Sequence, residues 1–155
     1  MTIARENKSG NKELVGRLTD LVGYHMRMAQ VAVFQDFKDR LGTYGITPAH
    51  LGVLLVVREN RHISQTDLSK ILKMDRSALV GVIDKMEGSG WVARGKTEGD
   101  RRRNALVPTS KGEKLIHDIW AGVLDHEAHI TGSMSAAEKA QLVALLKKVG
   151  DQFTG

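Results

Sequence analysis

A mainly α-helical fold of six helices carrying one small β-hairpin is the class this sequence predicts. Three observations carry that prediction. Apolar residues recur in steps of three and four along most of the 155 residues, the spacing that gathers them on one face of a helix. Hydroxyl and carboxylate residues of the kind that cap helices stand just ahead of these stretches. Only between Gly90 and Ser110 does the pattern change, to two short runs that read as strands.

Taken in order, residues 1–12 are polar and read as a flexible arm. From Glu13 to about Leu41, the apolar positions Leu14, Leu18, Leu21, Val22, His25, Met28, Val31, Phe34, Phe37 and Leu41 predict one long amphipathic helix, ended by "GTYG". Thr47 then offers an N-cap and Pro48 a first-turn proline, so "TPAHLGVLLVVREN" reads as a second helix. It is apolar nearly all round and is therefore central. "SQTD" at Ser64 opens a short helix through Leu72. Asp75 can cap the next, whose Leu79, Val82, Ile83 and Met86 share one face and which Gly88 and Gly90 close. "WVARGK" and "NALVPT" are the two strands, joined by the charged link "TEGDRRR". "SKGE" at Ser110 and "SAAE" at Ser135 read as capping boxes opening the last two helices, with stripes Leu115, Ile119, Val123, His126, Ile130 and Leu142, Leu145, Leu146, Val149.

Composition narrows the function. The 23 Lys and Arg against 18 Asp and Glu give a formal charge of +5, which favours an anionic partner. Without cysteine there is no disulfide framework, thiolate metal site or thiol redox sensor. The longest unbroken apolar run, "VLLVV", is too short to span a bilayer, and "MTIARENKSGNKE" has no signal-peptide character. A cytoplasmic protein without membrane contact is expected.

One stretch, "GWVARGKT" from Gly90 to Thr97, matches the pattern of a phosphate-binding loop. Such a loop must leave a buried strand and open a helix, so that free N–H groups converge on the anion. Here a helix ends at Gly90 and a strand occupies the loop itself, so no enzyme, cofactor or catalytic residue is expected. "HEAH", His126 to His129, could bind zinc with Asp125 or His117, but the spacing favours ordinary surface or interface histidines, and no metal is expected.

A short helix from Ser64 to Leu72, a tight turn at "KMD" and a second helix over about 76–87 have the proportions of a helix-turn-helix. The hairpin over about 91–108 makes it winged. Burying Leu79, Val82, Ile83 and Met86 leaves Arg76, Ser77, Val80, Gly81 and Lys85 facing outward, where an arginine and a hydroxyl can read base edges. The tip "GDRRR" puts Arg101, Arg102 and Arg103 in a turn thin enough for a minor groove, although charge runs of this kind also serve as solvated turns.

"DRSALVGVIDKMEGSGWVARGKTEGDRRRNALVPTSKGEKL", Asp75 to Leu115, resembles the signature of the MarR family of winged helix-turn-helix transcriptional regulators. The most specific part is Asp100, Arg102, Thr109 and Gly112. The resemblance implies a double-stranded DNA partner, with Ser64, Gln65, Arg76, Ser77, Ala78, Lys85 and the three wing arginines as contacts. It implies that Arg102 enters the minor groove and that Asp100 braces the wing through an arginine such as Arg94. It also implies a homodimer joined by helices in 13–46 and 110–152, flanking a DNA-binding domain over 47–109. Apolar stripes on those terminal helices agree with this. Many members carry Arg or Lys where this chain has Gly81. Many release DNA on binding a small phenolic or aromatic acid or its coenzyme A thioester, and Tyr24, His25, Met28, Phe37, His50 and Trp120 are the candidates for lining such an effector pocket. The competing expectation is a non-specific nucleoid-type binder that uses the same wing without an effector.

Overall fold

The computed structural model describes residues 16–95 and 105–153. Among them, six α-helices and two strands follow in the order α1 (Val22–Leu41), α2 (Pro48–Glu59), α3 (Gln65–Leu72), α4 (Arg76–Gly88), β1 (Val92–Gly95), β2 (Ala105–Pro108), α5 (Ser110–Ile130) and α6 (Ala136–Asp151). The mainly helical class with a single hairpin is therefore what the chain adopts. It divides within α1 into two compact units, Met1–Asp36 and Phe37–Gly155.

In the first unit the expected helix from Glu13 starts later. Residues 13–15 lie outside the described residues, and Gly16–Asp20 forms a 3-10 turn ahead of α1. Gly16 has φ +52°, a left-handed conformation that cannot continue an α-helix. The Thr19 hydroxyl donates to the Gly16 carbonyl at 3.2 Å, and His25 Nε2 donates to the Thr19 carbonyl at 2.8 Å. These two bonds satisfy local backbone groups that a helix would otherwise have paired.

The second unit is built around α2, whose His50, Val53, Leu54 and Val57 are all buried. It packs against α3, α4, α5 and β2. Its start is local chemistry: Pro48 is fixed for the first turn, and Thr47 Oγ1 accepts the His50 amide while His50 Nδ1 accepts the Thr47 amide at 3.1 Å. Leu68, Leu79, Ile83, Met86 and Leu106 close the core around it, each 1% exposed or less. Each such side chain contributes about 1.5–3 kcal/mol by leaving water.

His50 couples this cap to pH. Its imidazole is held below the ordinary histidine range, by burial first and by the positive charge of Lys85 second. The unfolded chain thus takes up a proton that the folded chain refuses, so stability is full above about pH 6.5 and declines as pH falls below it. Protonation at Nδ1 would also replace an acceptor with a donor opposite the Thr47 amide. Urea midpoints should drop between pH 7.5 and 5.5, and the drop should shrink in His50→Gln, which keeps an acceptor and does not titrate. Equal pH slopes in both proteins would remove His50 as the cause.

The hairpin pairs Val92 with Pro108 through Gly95 with Ala105, antiparallel. An additional bridge joins Ile63 to Leu106: the His62 amide donates to the Leu106 carbonyl at 2.9 Å, and the Leu106 amide to the Ile63 carbonyl at 3.0 Å. The segment entering α3 is therefore tied to the hairpin as a third, one-residue edge. The cap of α5 also differs from expectation, because Thr109 rather than Ser110 fills it. Thr109 is placed from both sides: its amide donates to the Trp91 carbonyl at 3.1 Å, and its hydroxyl donates to the Gly90 carbonyl while accepting from the Gly112 amide at 3.0 Å. Ser110 has no such anchoring and becomes the first helical residue.

Candidate nucleic-acid interface

Two short helices and the turn between them form the centre of the site. Ser64 caps α3 by accepting the Asp67 amide at 3.0 Å, and its hydroxyl donates to Asp67 Oδ2 at 2.7 Å. At the other end Lys73 turns left-handed, φ +48°, and the Met74 amide reaches back to the Ser69 carbonyl at 3.1 Å. The Ser69 hydroxyl donates to the Met74 carbonyl at 2.7 Å. This two-way latch fixes the turn, and with it the direction in which α4 leaves.

Helix α4 begins at an Asp75 cap, whose carboxylate accepts from the Ser77 amide at 3.1 Å and from the Ser77 hydroxyl. Those bonds hold the Asp75 carboxyl below its usual range, the Ser77 hydroxyl being the largest cause. Leu79, Ile83 and Met86 are buried and Val82 is partly buried, whereas Arg76, Ser77, Ala78, Val80, Gly81 and Lys85 are exposed. The outward face read from the sequence is the one the fold leaves open. A Cβ added at Gly81 meets nothing within 4 Å, so a side chain there would also point into open space.

Arg76 is held in place. Its Nη2 donates to Thr66 Oγ1 on α3 at 3.1 Å, which positions the guanidinium across the groove between the two helices. Nothing in the sequence marks Thr66 apart from its place three residues before Ser69. Gln65, partly buried, lies beside it at the first position of α3.

Among the described residues, two carboxylates hold Arg94. It pairs with Asp84 at 2.7 Å and with Glu87, both on α4. Asp84 first, with Glu87 adding to it, raises the guanidinium pKa above its ordinary value. The reason is geometric: β1 returns directly beneath the second half of α4, and Asp84 and Glu87, three apart, share the facing side. Asp100 and the wing-tip Arg101, Arg102 and Arg103 lie outside the described residues.

The effector candidates fall in both units. Tyr24, His25 and Met28 belong to Met1–Asp36, where the Tyr24 and His25 rings meet edge-on at 5.4 Å. In the other unit Phe37 packs edge-on against His126, and His50 against Trp91 at 5.7 Å. Trp120 is 41% exposed and lines a groove with Arg58, Glu113, Ile116 and His117. Among the described residues no group of three or more His, Cys, Asp or Glu could hold a metal, and no helix is long and apolar enough to cross a membrane. Strand β1 occupies the middle of the stretch that resembles a phosphate loop.

Three comparisons bear on this geometry. A family model described as MarR family matches residues 44–103, which spans the latch, both helices and strand β1. A putative transcriptional regulatory protein for the hcr operon of Thauera aromatica is 33% identical over 139 residues, covering 88% of this chain and 84% of that protein. Solved structures of the transcriptional repressor CouR superpose with a TM-score of 0.81: one bound to a 23-mer DNA duplex, 30% identical over 88% of this chain and 96% of that one, and one bound to p-coumaroyl-CoA, 28% identical over 89% and 97%.

Proposed function

This chain belongs to the MarR family of DNA-binding transcriptional regulators, and from that premise we propose that it is a cytoplasmic, homodimeric repressor released from its operator by a small aromatic acid or the coenzyme A thioester of one. The observation that carries the DNA reading is the exposed face of α4, where Arg76 stands fixed by Thr66 beside Ser77 and Ala78, with Lys85 further along. Helix α4 enters the major groove, Ser64 and Gln65 approach the backbone at the start of α3, and the wing carries Arg101, Arg102 and Arg103 to the minor groove.

A second copy of the chain is supported by apolar side chains that one protomer leaves exposed. Val31 and Phe34 on α1 are such residues, as are Leu142, Leu145 and Leu146 on α6. Two-fold symmetry then sets a pseudo-palindromic operator with half-sites about one DNA turn apart. The effector class is supported by the CouR structure with p-coumaroyl-CoA. It is supported as well by Trp120, an exposed indole lining a groove, which offers a ring for an aromatic ligand to stack on. Release is a population shift: a ligand that prefers a dimer with wrongly spaced α4 helices lowers operator affinity by its differential binding energy.

Fluorescence anisotropy at about 150 mM salt, with the DNA upstream of the protein's own gene against a scrambled duplex, tests the reading. Selectivity of about a thousandfold or more is the expected result. A following titration with aromatic acids and their thioesters should weaken operator binding. Equal, steeply salt-dependent affinity for every duplex tried would favour the non-specific nucleoid class instead.

A further inference from the structure

Val80 is an exposed branched apolar residue on the outward face of α4, 41% exposed where Leu79 beside it is 1%. It forms one wall of a depression between α3 and α4 whose other lining residues are Gln65, Thr66, Arg76 and Leu79. The bottom is aliphatic and the rim is polar. The Arg76 guanidinium lies at its rim, donating to Thr66 at 3.1 Å.

We propose that this depression is a thymine-reading site, in which the 5-methyl group of a thymine base sits against Val80 and the edge of Leu79. The assignment rests on α4 lying in the major groove, and it deepens that reading by naming the base edge. In the major groove only thymine presents a methyl group, and apolar side chains are what recognise it. Arg76 and Val80 are four residues apart on one helix face, about 6 Å along the axis, or roughly two base pairs at 3.4 Å each. The site therefore contains a thymine within two base pairs of the position that Arg76 contacts.

The test uses the full-length protein. A consensus is selected from a random duplex pool, and each thymine in it is then replaced singly by deoxyuridine, which removes the methyl and nothing else. Wild type should lose about fourfold in affinity at one thymine per half-site, the worth of burying one methyl group. Val80→Ala, at an exposed position and so expected to fold normally, should bind the thymine duplex about fourfold more weakly and show no further loss when that thymine becomes deoxyuridine. Losses for deoxyuridine that are the same in both proteins at every thymine overturn the assignment, as does a consensus whose thymines are all indifferent to the replacement. A Val80→Ala loss that is equal on thymine and deoxyuridine duplexes would mean that Val80 packs on sugar or backbone, which also overturns it. Failure to enrich any sequence would instead sink the regulator reading on which the assignment depends.

Discussion

Gly112→Ala is expected to destabilise the protein by about 3 kcal/mol or more, the upper range for overfilling a packed site, and to lower its melting temperature by about 10 °C. The Cβ would stand 2.0 Å from the Trp91 carbonyl oxygen and 3.0 Å from its carbonyl carbon, with Leu54 Cδ1 at 3.3 Å. The first two are backbone atoms of a buried residue that also accepts the Thr109 amide, so relief requires separating α5 from the base of the hairpin. Gly122 gives the contrast. There the nearest atom is Leu41 Cδ2 at 2.7 Å, the end of a flexible side chain, and Gly122→Ala should cost far less. Circular dichroism melts of the two variants check this; a Gly112→Ala melt at the wild-type temperature would mean that the close approach does not constrain the fold.

Arg102→Ala should weaken binding to every duplex by about five- to a hundred-and-fiftyfold, the span of roughly 1–3 kcal/mol that a well-placed arginine contributes. If the wing enters the minor groove as proposed, where negative potential attracts arginine, the loss should be nearly independent of the major-groove sequence, and the salt slope should flatten by about one. Arg76→Ala should behave differently, with a loss concentrated on the selected operator and little change on random DNA. Paired salt titrations of the two variants on operator and scrambled duplexes separate the roles. An Arg102→Ala protein with wild-type affinity would contradict the wing assignment, and identical profiles for the two variants would contradict the division between them.

What could be read from the chain beforehand was whatever local chemistry decides. Thr47 with Pro48, Ser64, Asp75 and Ser135 each cap the helix they precede, because a hydroxyl or carboxylate needs only an amide two or three residues away. The inward and outward faces of α4 follow from spacing alone. Features that depend on residues distant in sequence were not legible. Thr109 and Ser110 are adjacent hydroxyls of equal local merit, and the choice between them is made by Trp91 and Gly90, eighteen or more residues away. The Ile63 to Leu106 bridge joins segments with no shared pattern. Arg94 finds Asp84 and Glu87 only once β1 has folded back along α4. Gly16 is the exception, a local residue whose left-handed backbone ends the helical pattern that the apolar periodicity around it continues.

Helix α5 runs unbroken for 21 residues from Ser110 to Ile130, about 30 Å at 1.5 Å per residue. Its first turn is clamped to the base of the hairpin by Thr109 and Gly112, and the ion pair of Glu113 with Arg61 at 2.9 Å fastens it to the segment that enters α3. A stiff rod gripped at one end acts as a lever. Tilting it by about 5° displaces the far end by nearly 3 Å, close to the 3.4 Å rise of one base pair. A disturbance too small to alter any single hydrogen bond along the rod can thus shift what it carries by almost one step of the DNA ladder, and amplification of that kind needs no hinge.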